Sequence, residues 1–119
     1  MGAPETPYNI RERTFLFAVR AVKMADKFPR TIAGQKIAAQ LIDSATSVGA
    51  NTEEADGAES KKDRIHKYAI ARKEAKEARY WLRVAEATDL TQGPECQALQ
   101  QEALEITKII SKIIINLSK

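Results

Sequence analysis

The sequence predicts an all-α protein, an antiparallel up-down four-helix bundle. Three observations point there. Apolar residues recur every three or four positions through most of the chain. Three short breaks, two of them carrying proline, divide that pattern into four long segments. No run alternates apolar and polar residues between turn signals, as a half-buried strand would. Short breaks between long helices make sequential neighbours antiparallel. A chain of 119 residues fits one domain. Its 44% hydrophobic and 29% charged residues are the balance of a globular chain, not a disordered one.

Met1 to Pro7 contains Gly2, Pro4 and Pro7, and residues 1–8 read as a disordered leader ahead of a bundle domain over 9–119. The first helix is expected over 9–28. Asn9 is its candidate N-cap, and Glu12 stands three residues later as in a capping box. Phe15, Val19, Val22 and Met24-Ala25 form its apolar stripe, and Phe28-Pro29 ends it. The second helix is expected over 31–58, capped by Thr31. Ile37, Leu41, Ala45, Val48, Thr52 and Ala55 make its inner face. Gly49, inside that helix, marks a kink or a close approach of another backbone.

The third helix is expected over 60–88. Ser60 followed by Asp63 starts it, and Ile65, Ala69, Ala75, Ala78, Leu82 and Ala85 keep its apolar face. Thr91-Gln92-Gly93-Pro94 breaks the chain again. The fourth helix follows over 94–117, with Pro94 welcome in a first turn. Leu99, Ala103, Ile106, Ile110, Ile113 and Leu117 repeat with coiled-coil regularity.

Charge is unevenly spread. Lys61 to Arg83 holds nine Lys or Arg against three Asp or Glu, whereas Ile37 to Ser60 holds five acidic residues and no basic one. Such neighbours make complementary faces, within a fold or between copies, or leave a basic strip free for a polyanion. Within the basic segment, Arg72, Lys76, Arg79 and Arg83 share one side of the helix, and Tyr68 extends the row. The four are the candidate nucleic-acid contacts. Phosphates would bind there with counterion release and without sequence preference. The alternative is a solvated flank neutralised by acidic neighbours.

Three further features stand out. Ser44, Ser47, Asn51 and Glu54 lie on one face of the second helix. Buried there, they need partners, and Ser47, Asn51 and Glu54 are expected to form a structural polar network that holds helix register. Trp81, beside Tyr80, is expected in the core or a subunit interface, and base stacking there would need exposure. Ile109 and Ile114, with Ile115, add apolar surface beyond the seam of Ile106, Ile110 and Ile113. That surplus suggests a second covered side and hence a homo-oligomer, with a wide monomer core as the alternative.

No nucleophile with its base, Gly-rich phosphate loop or Cys/His cluster is present, so no catalytic residue, metal or cofactor is expected. The single cysteine, Cys96, reads as a small apolar residue near a helix start. The single histidine, His66, stands on a charged stretch with Asp63 rather than Glu three residues before it, which argues against a di-iron bundle. No apolar run is long enough to cross a membrane, and residues 1–9 lack a charged start followed by an apolar stretch. The expected setting is cytoplasmic.

The run Ser47-Val48-Gly49-Ala50-Asn51-Thr52-Glu53-Glu54-Ala55 resembles the second-helix motif of the bacterial four-helix bundle proteins, the 23S rRNA intervening-sequence or S23 family. Ala25-Asp26-Lys27-Phe28-Pro29, Glu59 to Ile65, and Glu74-Ala75 through Tyr80-Trp81-Leu82 are similar to its other helix boundaries and its third helix. The resemblance spans about residues 10–117. It implies a bundle that assembles into a ring-shaped homopentamer and carries no catalytic residues. A related group, the accessory variability determinant proteins of diversity-generating retroelements, implies nucleic acid and a protein as partners. Arg79-Tyr80-Trp81-Leu82-Arg83 is similar to an aromatic-basic patch there. The expected function is a non-enzymatic homo-oligomeric bundle that binds RNA or DNA through its third helix. The alternative is a protein-interaction scaffold with no nucleic-acid role.

Overall fold

The computed structural model describes residues 7–119. Residues 1–6 of the expected leader lie outside the described residues, and the last two of that leader already belong to the first helix. The helices are α1 (Pro7–Ala25), α2 (Ile32–Asp56), α3 (Lys61–Ala87) and α4 (Pro94–Leu117), and no strand occurs among the described residues. Each packs on two neighbours. α1 touches α2 and α4, α3 touches α2 and α4, and the pairs α1–α3 and α2–α4 stand diagonally apart. This is the all-α four-helix bundle that the breaks and periodicity predict.

Local chemistry sets the ends. Thr31 accepts a hydrogen bond from the Gly34 amide at 3.0 Å, and Ser60 accepts one from the Asp63 amide at 3.0 Å. Each cap contributes about 1 kcal/mol. Gly34 is required by space, because a Cβ there would lie 1.8 Å from the Pro29 carbonyl oxygen. α3 ends with Asp89 in the left-handed region, φ 60°, while the Leu90 amide donates to the Ala85 carbonyl at 2.9 Å. Gly93, at φ 98°, turns the chain into Pro94. Asn9 does not cap α1, which begins two residues earlier at Pro7.

The core is built from Ile10, Phe17 and Ala21 of α1, Leu41, Ala45 and Val48 of α2, Leu82 and Tyr68 of α3, and Leu99, Ile106 and Ile110 of α4. Ala71, Ala75, Ala78 and Ala85 make the inner row of α3 small, so its neighbours approach closely. Gly49 serves the same purpose between α1 and α2. A Cβ there would sit in ordinary contact, 3.5 Å from the Thr14 carbonyl oxygen.

One expected face is rotated, and another departs only at its start. On α1, Phe15 is 57% exposed and Val19 and Val22 are only half-buried, whereas Ile10, Thr14, Phe17 and Ala21 point inward. The run Phe15-Leu16-Phe17-Ala18-Val19 is apolar on every side, so periodicity alone cannot choose among its faces. The observed turn buries Ile10, Phe17 and Ala21, lets the Thr14 hydroxyl meet Thr52, and leaves the arginines at the seams. Arg13 grips Glu102 of α4 at 2.8 Å and Arg20 grips Glu95 at 3.0 Å, so seven residues forward on α1 match seven back on α4. Arg11 holds Asp56 of α2 at 2.7 Å. On α3, Ala75, Ala78, Leu82 and Ala85 are buried as expected, but Tyr68 does not extend the basic row and is fully buried, while Ile65 and Ala69 are only half-buried.

Candidate nucleic-acid interface on helix three

On α3 the cations Arg72, Lys76, Arg79 and Arg83 share one side of the helix, Glu86 lies on that side next to α4, and Glu74 and Glu77 lie round from it. Arg72 and Arg79 are half-buried beside α4, and Lys76 and Arg83 are exposed. From Arg72 to Arg83 the row is about 16 Å long at ~1.5 Å per residue. Among the described residues none of the four has a carboxylate partner. Arg72 donates to the Ser111 hydroxyl at 3.2 Å, and Arg79 has a covered Nε without a hydrogen-bond partner.

The helix's own acids are occupied on its flanks. Glu86 accepts from the Gln100 amide at 3.0 Å toward α4, and Glu77 accepts from the Trp81 indole at 3.3 Å. Burial, followed by repulsion from Glu77, raises the Glu74 carboxyl above its ordinary value. Lys67, the cation turned toward α2, is held by Glu54 at 2.9 Å, and that bond raises its pKa. Among the described residues the four cations of the stripe therefore form no ion pair, while Lys67 on the other flank does.

Tyr80 and Trp81 adjoin this stripe. Trp81 is half-buried against the core, and Tyr80 is 54% exposed. Their rings meet edge to face, centroids 5.0 Å apart at 75°.

The other expected sites resolve differently. Ser47, Asn51 and Glu54 do not form a network. The Asn51 amide donates to the Ser47 carbonyl one turn back at 2.8 Å, and exposed Glu54 reaches Lys67 of α3. The buried polar tie across helices is one that the pattern concealed, Thr14 to Thr52, whose hydroxyls lie 2.9 Å apart. Its spacing places Thr52 within the apolar stripe of α2, and only its hydroxyl signals this role. Ile109, Ile110 and Ile113 are buried within one chain, Ile114 is half-buried, and Ile115 alone of the run is largely exposed, at 60%. The α4 isoleucines thus fill a wide core, and the apolar surplus lies on α1. There Phe15, Ala18, Val19 and Val22 face Gly49 and Ala50 of α2 across a groove of about 510 Å³. Cys96 is buried, its thiol donating to the Leu82 carbonyl at 3.3 Å, and burial raises its pKa. His66 is exposed. Among the described residues no group of three or more His, Cys, Asp or Glu stands close enough to hold a metal. No helix there is long and apolar enough to cross a membrane.

With this geometry in view, the family is decided by residues 7–112, which match the model of the 23S rRNA-intervening sequence proteins. The chain belongs to that family. A solved structure agrees: a protein of unknown function from the S23 ribosomal protein family of Bacteroides thetaiotaomicron. It is 32% identical, with a TM-score of 0.80, over 91% of this chain and 96% of that one. Among curated proteins nothing matches. The family match and the S23 structure attach no enzymatic activity to this bundle.

Proposed function

We propose that this S23-family bundle is a non-enzymatic, cytoplasmic homo-oligomer that binds RNA or DNA through Arg72, Lys76, Arg79 and Arg83. One observation carries the reading. The three arginines of α1 each hold a carboxylate across a helix seam, and none of these four α3 cations does. Unpaired cations in a row retain their full field for a polyanion. If all four meet phosphates of a duplex, log affinity falls against log salt with a slope of about −3.6. Retention on a nucleic-acid column across a salt series tests this. A flat salt response, or unchanged retention of Arg79→Glu with Arg83→Glu, removes the reading.

Assembly is supported by the apolar outer side of α1, where Phe15 and Leu16 are exposed. The resemblance implies a pentamer, with a light-scattering mass five times the 13.2 kDa of one chain. Phe15→Glu with Val19→Glu should return that mass to a folded monomer. The same groove favours the second reading, a protein-interaction scaffold. A purified protein whose 260/280 nm absorbance ratio is unchanged by a high-salt wash, and which shows no salt-sensitive retention, would favour it.

A further inference from the structure

We infer that the strand bound on α3 is unpaired, with a base stacked on Tyr80 and the adjoining phosphates on Lys76 and Arg83. This rests on the nucleic-acid reading above and names the class of polyanion.

Residues three and four apart stand as neighbours on a helix surface, with Cβ atoms about 5–6 Å apart. Lys76 lies four before Tyr80 and Arg83 three after it, so the ring sits between two exposed cations. Neither cation has a carboxylate partner among the described residues. Arg79 is the residue immediately before the ring and is likewise unpaired. Exposed Lys73, seven before Tyr80, continues the same side of the helix.

The ring is also steadied. Trp81 packs on the core, donates its indole N–H to Glu77 at 3.3 Å, and meets Tyr80 edge to face at 5.0 Å. An exposed aromatic alone needs no explanation. An exposed, braced aromatic inside a row of unpaired cations has the two elements of a single-strand platform, a stacking surface and a phosphate track.

Duplex would use only one of them. Paired bases already have their faces stacked, and the A-form major groove is too deep and narrow for side chains to read. Against a duplex, the cations would bind and the ring would gain nothing. An unpaired base offers a free π-face, whatever its identity, so the predicted preference is for strandedness and not for sequence.

The test uses fluorescence anisotropy of the full chain with four labelled probes: 12-nucleotide oligouridylate, the deoxyribose oligothymidylate of that length, and 12-base-pair RNA and DNA duplexes. Wild-type protein should prefer single strands. Tyr80→Ala should lose between about fivefold and a hundredfold in single-strand affinity, with the salt slope and the duplex affinity unchanged. Tyr80→Phe should keep single-strand binding, because the ring remains. Lys76→Gln with Arg83→Gln should lower the single-strand salt slope by about 1.4, for two lost phosphates. Circular dichroism checks that each variant is folded. The RNA and DNA arms distinguish the sugar, and single-strand preference with either supports the inference. Equal or tighter duplex binding, or wild-type behaviour of Tyr80→Ala while Arg79→Glu with Arg83→Glu abolishes binding, overturns it and leaves the phosphate stripe standing. No salt-sensitive binding to any probe overturns both.

Discussion

Helices α1 and α3 occupy opposite corners of the bundle, both carry several cations, and they use them in opposite ways. On α1 the arginines lie at the seams. Arg11 ties to α2, and Arg13 and Arg20 tie to α4, leaving an outer side rich in Phe15, Leu16 and Val19. On α3 the inner row is mostly alanine, Glu86 and Glu77 accept from Gln100 and Trp81, and the outward cations Lys76 and Arg83 form no ion pair among the described residues. The difference teaches that basic composition is not a binding surface. What matters is whether a neighbouring helix offers a carboxylate at the right level. Because the two helices are diagonal, a partner covering α1 would leave α3 open.

Both outer sides are dispensable to the fold and the buried core is not, so the largest effect comes from the core. Ile110→Asp puts an unpaired carboxylate in a fully buried position and should cost more than about 4 kcal/mol. Urea titration should find it unfolded or nearly so, whereas Tyr80→Ala should unfold within ~0.5 kcal/mol of wild type. A stable Ile110→Asp protein would mean the seam is misplaced. Charge reversal sharpens the contrast next. Arg79→Glu with Arg83→Glu should weaken nucleic-acid binding by about 100-fold at moderate salt, while Arg20→Gln on α1 should leave the salt slope unchanged. Equal losses from both would erase the distinction between the two helices.

Thr52→Val should cost about 1 kcal/mol, since it removes a hydroxyl bonded to Thr14 at 2.9 Å and leaves the Thr14 bond to the Ile10 carbonyl. Thermal denaturation reads it, and no change would deny that this tie sets the α1–α2 contact. The smallest effect concerns the paired cations themselves. The hydrogen bond from Arg20, against an opposing burial effect, lowers the Glu95 carboxyl below its ordinary 4.5. A lowered acid stabilises the folded chain fully above the unfolded value and loses that contribution as pH falls through the lower folded value. The pair is exposed, so Glu95→Gln should cost only about 0.2–1 kcal/mol above pH 4.5, and the gap should close below it. A gap that persists in acid would show that the change acts through packing and not through charge.

Much of the scaffold could be read along the chain. Thr31, Ser60 and Pro94 mark helix starts through groups within three residues of them, and α4's row from Leu99 to Ile113 is buried as its spacing predicts. The basic row of α3 was legible too, because helical spacing alone places Arg72, Lys76, Arg79 and Arg83 together. Tyr68 was misplaced for a related reason. It stands four before Arg72, yet a ring that large is drawn inward where the adjoining inner positions are alanine.

Capping and periodicity act within one or two turns, so local sequence settles where each helix begins, where it ends and which residues travel together. It does not settle which way α1 is turned. Several of its faces are apolar, and the choice falls to contacts distant in sequence, the core around Ile10 and Phe17 and the Thr14–Thr52 pair, with Glu95, Glu102 and Asp56 meeting its arginines once the helices are assembled. The same dependence decides which cations are neutralised. Charge pairing is short-ranged in space and indifferent to chain separation, so the free stripe on α3 and the apolar side of α1 exist only in the packed bundle.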